Sequence, residues 1–440
     1  MLPGMRKTAL AISIAAFAFV GCTSQNPAAT DPGAQPGTPL TYYQDAAPIF
    51  ASRCASCHSP GNIAPFSLLT YSDAMTYASL IKPAIANHIM PPMPPDTSAE
   101  SGCPQIDDAR VMPDAERQTL ISWVDGGAVA GDAAHAAPTP PAPDALGTPT
   151  ATYDSGLDYA SQFQGADEYR CFIIDPQLTA TFNMVAVGVH STNPAIVHHT
   201  IVYAQLPADK AAVDALDAND PLPGYECFGG PGWAGAITVG AAAVGSAPKA
   251  FPNGSGAPLP AGTRYVVQVH YNFDNGRGSN RIAVQAWSAP VLTQIPHGIG
   301  TANYTFDIPP GAVGVTATAM GTFTMTPTAG NQGKPGLLWS AFPHMHQIGS
   351  SIRVDLIRAD GSRSCVINIP KWDFHWQGAY QFAQPIKVNP GDMLQTTCVW
   401  DNSAAHQPIV NGQPQQPRDV RFGEGSTDEM CLAGFTLTDF

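Results

Sequence analysis

From about residue 153 the chain alternates short apolar runs with turn residues. The runs "RCFIID", "TFNMVAVGVH", "HHTIVYAQ", "TRYVVQVHYNF", "RIAVQAW", "ANYTFDI", "VGVTATAMGTFTM", "SIRVDLIRADG", "SCVINI" and "MLQTTCVW" are rich in β-branched and aromatic residues. Gly, Pro, Asn and Asp punctuate them, which predicts strands. Many short strands at this spacing predict a β-sandwich or jelly roll. The stretch is too long for one such unit, so two all-β domains are expected, 153–290 and 291–440, parting near "SAPVLTQIPHGIG". Before residue 134 the texture differs. "YYQDAAPIFASRCASCH" reads as a helix, and "MPDAERQTLISWVDGGA" as another, with an acidic start, an apolar face at Leu120, Ile121 and Val124, and Gly at its end. A small all-α domain at 41–133 therefore precedes the two all-β domains. The Ala/Pro/Thr-rich segment 134–152 cannot bury a core and reads as a linker, with His135 in it needing no function.

Composition sharpens this picture. Of 440 residues only 12% are charged, while Gly and Pro number 41 and 43. Few charges and many turn formers fit a secreted, β-rich protein. The net charge of −14 offers no basic stripe for phosphates, so nucleic acid is not an expected partner. Arg6 and Lys7 precede the apolar run "TALAISIAAFAFVGC", which is too short to span a bilayer. Residues 1–22 resemble a bacterial lipoprotein signal with Cys22 as the lipidated residue, although Phe19 stands where Leu is usual; a plain secretory peptide is the alternative. Residues 23–40 form a polar Pro/Gly tether. Either reading places the chain in the cell envelope, outside the cytoplasm, and the lipid would be its one membrane contact.

The first candidate chemistry is "CASCHSP". The C-x-x-C-H pattern is that of covalent c-type haem: Cys54 and Cys57 bond the vinyl groups and His58 is an axial iron ligand. A second axial ligand is sought in "HIMPPMPP". Met90 is favoured because it precedes the first Pro-Pro, with Met93 as the alternative and His88 as a surface residue. Helix, C-x-x-C-H, Met-bearing loop and second helix together resemble a class I cytochrome c.

Further on, histidines gather in the strands. His198 and His199 are adjacent in "AIVHHTIVY", and His270 lies in "VVQVHYNF". Neighbouring strand residues face opposite sides, so a local twist, or the use of different ring nitrogens, is needed for both to reach one ion. His344 and His346 in "FPHMHQIG" are two apart and share a face, and Met430 lies in "TDEMCLAGF". Imidazole suits Zn, Cu, Fe and Ni, while a thioether selects Cu(I). His190, His297, His375 and His406 match no liganding pattern, and His375 is read as packing. A zinc hydrolase fits poorly, since no carboxylate or Ser is poised in these motifs.

In order and rough spacing, "VHHTIVY", "QVHYNF", "HMHQIG" and "DEMCLAG" resemble the copper type II monooxygenases, the family of peptidylglycine α-hydroxylating and dopamine β-monooxygenases, and most of all members with a cytochrome c in front. The resemblance implies two copper ions. His198, His199 and His270 would hold the electron-supplying one; His344, His346 and Met430 would hold the one where O2 is activated. It implies hydroxylation of a small organic substrate with O2, with electrons from an ascorbate-like reductant or another cytochrome and the fused cytochrome as a candidate conduit. A redox carrier or copper-binding electron-transfer protein is the alternative. The resemblance also implies disulfides Cys171–Cys227 and Cys398–Cys431, leaving Cys103 and Cys365 to pair across a domain boundary or stay free. Peptide-amidating relatives grip a substrate carboxylate with Arg, Asn and Tyr where this chain has Phe342, Leu432 and Gly434. A buried carboxylate lacking such partners would be costly, so a neutral, more apolar substrate is expected.

Overall fold

A computed structural model describes residues 39–440 apart from 63, 108–109, 139–145, 166, 244–247, 274–275, 323–333, 411–412 and 424. The leader 1–22 and nearly all of the tether 23–40 lie outside the described residues. Among those described, no helix is long and apolar enough to cross a membrane.

Among the described residues three larger cores and one small one, around Cys171, Val213 and Val266, organise 40–440. In the first, a helical run over 42–54 leads into the C-x-x-C-H segment and packs against helix Asp114–Asp125. Tyr42, Phe50, Leu120 and Trp123 are its wholly buried centre. The buried face of Asp114–Asp125 runs through Leu120 and Trp123, with Ile121 and Val124 at its margin. Arg117 is buried there too and donates to the Ile85 carbonyl at 2.6 Å, which closes the end of helix Ala78–Ala86.

The second core lies between a five-stranded and a four-stranded antiparallel sheet. The five-stranded sheet has strand Arg264–Asn272 at its centre, between Asp167–Ile174 and Val197–Gln205. Every residue of Arg264–Asn272 is buried, as the continuous run "RYVVQVHYN" requires of a central strand. The third core, again between five and four strands, holds Leu338, Phe435 and Leu437 against Val354, Leu394 and Trp400. Both β regions are two-sheet sandwiches. Strands not singled out by the sequence pattern include Ile237–Ala243 and Tyr380–Val388. "ITVGAAA" lacks apolar contrast and "YQFAQPIKV" is broken by Pro.

The linker is not what holds the helical region. Cys103 is disulfide-bonded to Cys365 in the last sandwich. Ile106 and Asp107 pair with Phe382 and Gln381 as an added edge strand, and Met93 and Ile106 are members of the third core. Asp96 N–H donates to the Asn368 carbonyl at 2.8 Å. The helical region is therefore held by a covalent bond, a strand pairing and shared core packing, and not by the linker expected at 134–152 alone. The linker's end is also structured: Ala151–Asp154 already pairs with strand Ile282–Ser288.

Candidate metal and cofactor centres

The first histidine cluster is made by sheet register. His270 pairs with His199, and the next residue, Tyr271, pairs with Val197. His198 is thus the extra residue of a β-bulge, and a bulge turns a side chain that would have faced away toward its neighbour's side. The three Nδ1 atoms form a triangle: 3.1 Å between His198 and His270, and 3.3 Å from each of these to His199. Three ring nitrogens so placed cannot all satisfy one another as donors and acceptors. Their spacing is that of nitrogens sharing one ion at about 2.0 Å, and the donor set therefore fits a metal. The local distortion, with Nδ1 facing inward on each ring, is what brings the adjacent histidines together.

The surroundings keep this cluster neutral and oriented. Burial first, then mutual repulsion, holds His199 and His270 well below the usual imidazole range, and burial brings His198 down to about 4. All three are unprotonated at neutral pH, as ligation requires. His270 Nε2 donates to Asp167 Oδ1 at 2.8 Å, which fixes the tautomer that leaves Nδ1 for a metal. Tyr169 stacks on His270 with ring centres 4.1 Å apart.

The second cluster is built from strand ends and a loop. His344 ends strand Gly336–His344, Met345 turns into the core, and His346 returns to the same side just past the strand. The two rings lie 5.1 Å apart. Each has its Nδ1 engaged: His344 with Gln377 Oε1 at 2.5 Å, His346 with the Asp428 carbonyl at 3.1 Å. Nε2 is left as the ligating atom on both. Met430 lines the same cavity as the pair. Burial lowers His344 to about 4 and also depresses His346. The donor set, two imidazoles and a thioether, suits copper.

Glu429 is what holds this cluster, and sequence reasoning did not single it out, though it stands in the quoted "TDEMCLAGF". It is wholly buried. Its carboxylate accepts from the N–H groups of His346 (2.8 Å), Ile348 (2.9 Å) and Met430 (3.2 Å) and from Trp400 Nε1 (2.9 Å). One side chain thereby ties the H-x-H loop to the Met-bearing segment. Burial pushes its carboxyl up to about 7, against the pull of those four donors. The Cys398–Cys431 disulfide fixes the strand beside Met430, and Cys171–Cys227 braces the first sandwich. Gln377, Asp167 and Tyr169 were likewise missed, because their partners are distant in sequence.

His375 is not mere core packing. Its ring is 6.0 Å from that of His198, and Phe374 lies 6.5 Å from His198 and 5.8 Å from His346. One phenyl ring stands between the two histidine clusters.

In the helical region Cys54 and Cys57 are unpaired thiols. His58 Nδ1 faces the Phe66 carbonyl at 3.1 Å, leaving Nε2 as the ligating atom. The two candidate methionines part company. Met93 is buried in the third core, where its sulfur accepts from Asp373 N–H at 3.3 Å, whereas Met90 lines a cavity with Cys54, Cys57 and His58. Two thiols, a tautomer-fixed imidazole and a thioether around one cavity fit a c-type haem. That cavity, about 1590 Å³, continues to His199, His344, His346 and Met430.

Residues 300–435 match the family described as copper type II ascorbate-dependent monooxygenase, C-terminal domain. Tyramine beta-hydroxylase of Caenorhabditis briggsae is 25% identical over 267 residues, 57% of this chain and 42% of that protein. MOXD1 homolog 1 of Drosophila melanogaster is 24% identical over 206 residues, 44% of this chain and 27% of that protein. The matched stretch spans less than half the length of these curated relatives. Among solved structures, the major capsid protein P2 from Bacteriophage PM2 is similar over 66% of this chain and 97% of its own, at 8% identity and a TM-score of 0.25. The domain match and the relatives support a copper monooxygenase.

Proposed function

We propose that this chain is a haem–dicopper monooxygenase that hydroxylates a C–H bond of a small, neutral, apolar molecule: R–H + O2 + two electrons + two protons give R–OH + water. His198, His199 and His270 hold one copper through Nδ1. His344 and His346, through Nε2, and Met430 hold the other. Cys54, Cys57, His58 and Met90 hold a covalent c-type haem. The metals supply one-electron transfer and O2 activation; the chain binds, orients and shields.

The observation that supports this most is the single cavity joining the C-x-x-C-H pocket to both histidine clusters. An electron donor seated there needs no journey to reach the copper side, and an ascorbate-like reductant or another cytochrome recharges it. Near the second cluster the cavity wall is Trp339, Phe342, Trp376 and Leu432. Phe342 pairs across the sheet with Gly434. Phe342, Leu432 and Gly434 offer a carboxylate no polar side chain, and the nearby Arg110 is engaged by the Trp376 carbonyl, so glycine-extended peptides are poor substrates and uncharged ones are preferred. Lipid on Cys22 would anchor the protein in the bacterial envelope, a compartment in which disulfides persist.

The test is metal content with turnover. Purified mature protein should hold two coppers and one covalent haem, and should insert label from ¹⁸O₂ into an apolar substrate when reduced. Met90→Ala should abolish the Met-to-iron absorbance of the oxidised protein while Met93→Ala keeps it. Zinc in place of copper would overturn the dicopper reading, and full copper loading without labelled product for any uncharged substrate would leave a redox carrier instead.

A further inference from the structure

The helical region does more than dock against the last sandwich. Arg110, which belongs to it, donates from Nη1 to the Trp376 carbonyl at 2.7 Å. Its guanidinium also lies 4.3 Å over the Tyr380 ring. Trp376 ends the short turn Phe374–Trp376, which Asp373 caps by accepting from His375 N–H. The next residue is Gln377, buried, whose Oε1 accepts from His344 Nδ1. Arg110 also lines the cavity that Cys54, Cys57 and His58 share. One side chain therefore touches both the wall of the C-x-x-C-H pocket and the strap that orients His344.

We propose that Arg110 is a positioning residue for the second metal site: by holding the Trp376 carbonyl it keeps Gln377 where its Oε1 locks His344 as the Nδ1–H tautomer, with Nε2 presented to the metal. The physical reason is the freedom of an unsupported amide. A Gln side chain has several rotamers and two unlike ends, and its NH2 end would oppose the Nδ1–H that it must receive. Fixing the backbone one residue away with a charged donor removes that freedom. Docking does not depend on Arg110, since the Cys103–Cys365 bond and the edge strand at Ile106–Asp107 hold the regions together without it. The helical region is thus part of the second metal site and not only a neighbour of it. The inference rests on the reading of His344 as a copper ligand, and the experiment separates the two.

Full-length Arg110→Ala, Arg110→Lys and Gln377→Ala are compared with wild type and with Lys371→Ala. Lys371→Ala removes a different contact between the same regions, Lys371 Nζ to the Asn87 carbonyl at 3.3 Å. In chelator-treated, metal-free protein, long-range ¹⁵N–¹H spectra report each histidine's tautomer. His344 should be Nδ1–H in wild type and Lys371→Ala, mixed in Arg110→Ala and Gln377→Ala, and largely restored in Arg110→Lys. His346, held by the Asp428 carbonyl, should not change in any of them. On copper loading, Arg110→Ala should weaken the second site about 10–100-fold and alter its Cu(II) spectrum, with the three-histidine site as in wild type. A His344 tautomer unchanged in Arg110→Ala but mixed in Gln377→Ala would overturn the role of Arg110. Equal weakening of both sites would also overturn it, since that marks general loosening. A tautomer shift as expected, in a protein that takes no second copper, would uphold the positioning and overturn the copper reading instead.

Discussion

The two histidine clusters are built by different means. The three-histidine cluster comes from paired strands of one sheet, where register and one bulge bring three Nδ1 atoms within 3.3 Å of each other. In the second cluster the sheet sets only part of the geometry: His344 pairs with Leu432, two residues past Met430, while His346 and Met430 themselves lie just outside the paired strands. Its parts come from a strand end, a loop and a C-terminal segment, held by Glu429, Gln377 and, through Trp376, Arg110. A site made by backbone register inherits the rigidity of the sheet. A site made by buried polar contacts depends on each of them, because a buried donor left without its acceptor costs the full desolvation penalty. The first cluster, all nitrogen, suits an ion that changes little on redox. The second, with a thioether and a neighbouring cavity, suits one that must accept a new ligand.

The sharpest way to break the comparison is to empty one site at a time. His198→Ala/His199→Ala should lower copper content from two ions per chain to one and leave the second site's spectrum intact; His344→Ala/His346→Ala should do the converse. Elemental analysis with Cu(II) spectroscopy reads both, and loss of both ions from either variant would show that the clusters are not separate sites.

Next in size is Glu429→Ala. It strips the acceptor from three backbone N–H groups and the Trp400 indole in a wholly buried place. At about 1–3 kcal/mol for each buried donor left unsatisfied, with incomplete additivity, a loss of roughly 3 kcal/mol or more is expected. Urea unfolding of the metal-free protein measures it, and copper at the second site should weaken well beyond copper at the first.

Asp167→Ala tests the first cluster from outside. The carboxylate orients His270 through Nε2, so copper affinity there should fall about 10–100-fold with little change at the second site. Competition with a chelator of known affinity gives the number.

The smallest effect is expected for Tyr169→Leu. It keeps apolar bulk but loses the ring stacked on His270, a contact worth about 0.5–1.5 kcal/mol. Copper affinity at the first site should drop by no more than roughly ten-fold, and an effect as large as that of Asp167→Ala would mean the sheet itself had shifted.

How much of this was legible in the chain follows the same division. Strand after strand was readable from alternation and β-branched runs, because burial in a sheet imposes a period of two residues on the sequence itself. The helical run into C-x-x-C-H and the helix Asp114–Asp125 were readable, the latter from its acidic start, apolar face and terminal Gly, whereas Tyr71–Thr76 and Ala78–Ala86 were not. The candidate ligands were readable because liganding chemistry admits few side chains, and these stand out against an apolar strand. Three things belong to the tertiary structure alone. The bulge at His198 depends on how two distant strands pair. The different places of Met93, taken up by the third core, and Met90, on the cavity wall, depend on how that core packs. The hold of Arg110 on the turn beside His344 joins positions 110 and 376, and the Cys103–Cys365 bond fixes the regions that make that approach possible. Local pattern records what each residue needs around it, burial, a strand or a metal. It does not record which of many compatible surfaces supplies it, and that is settled only when long-range packing makes one arrangement satisfy all of them together.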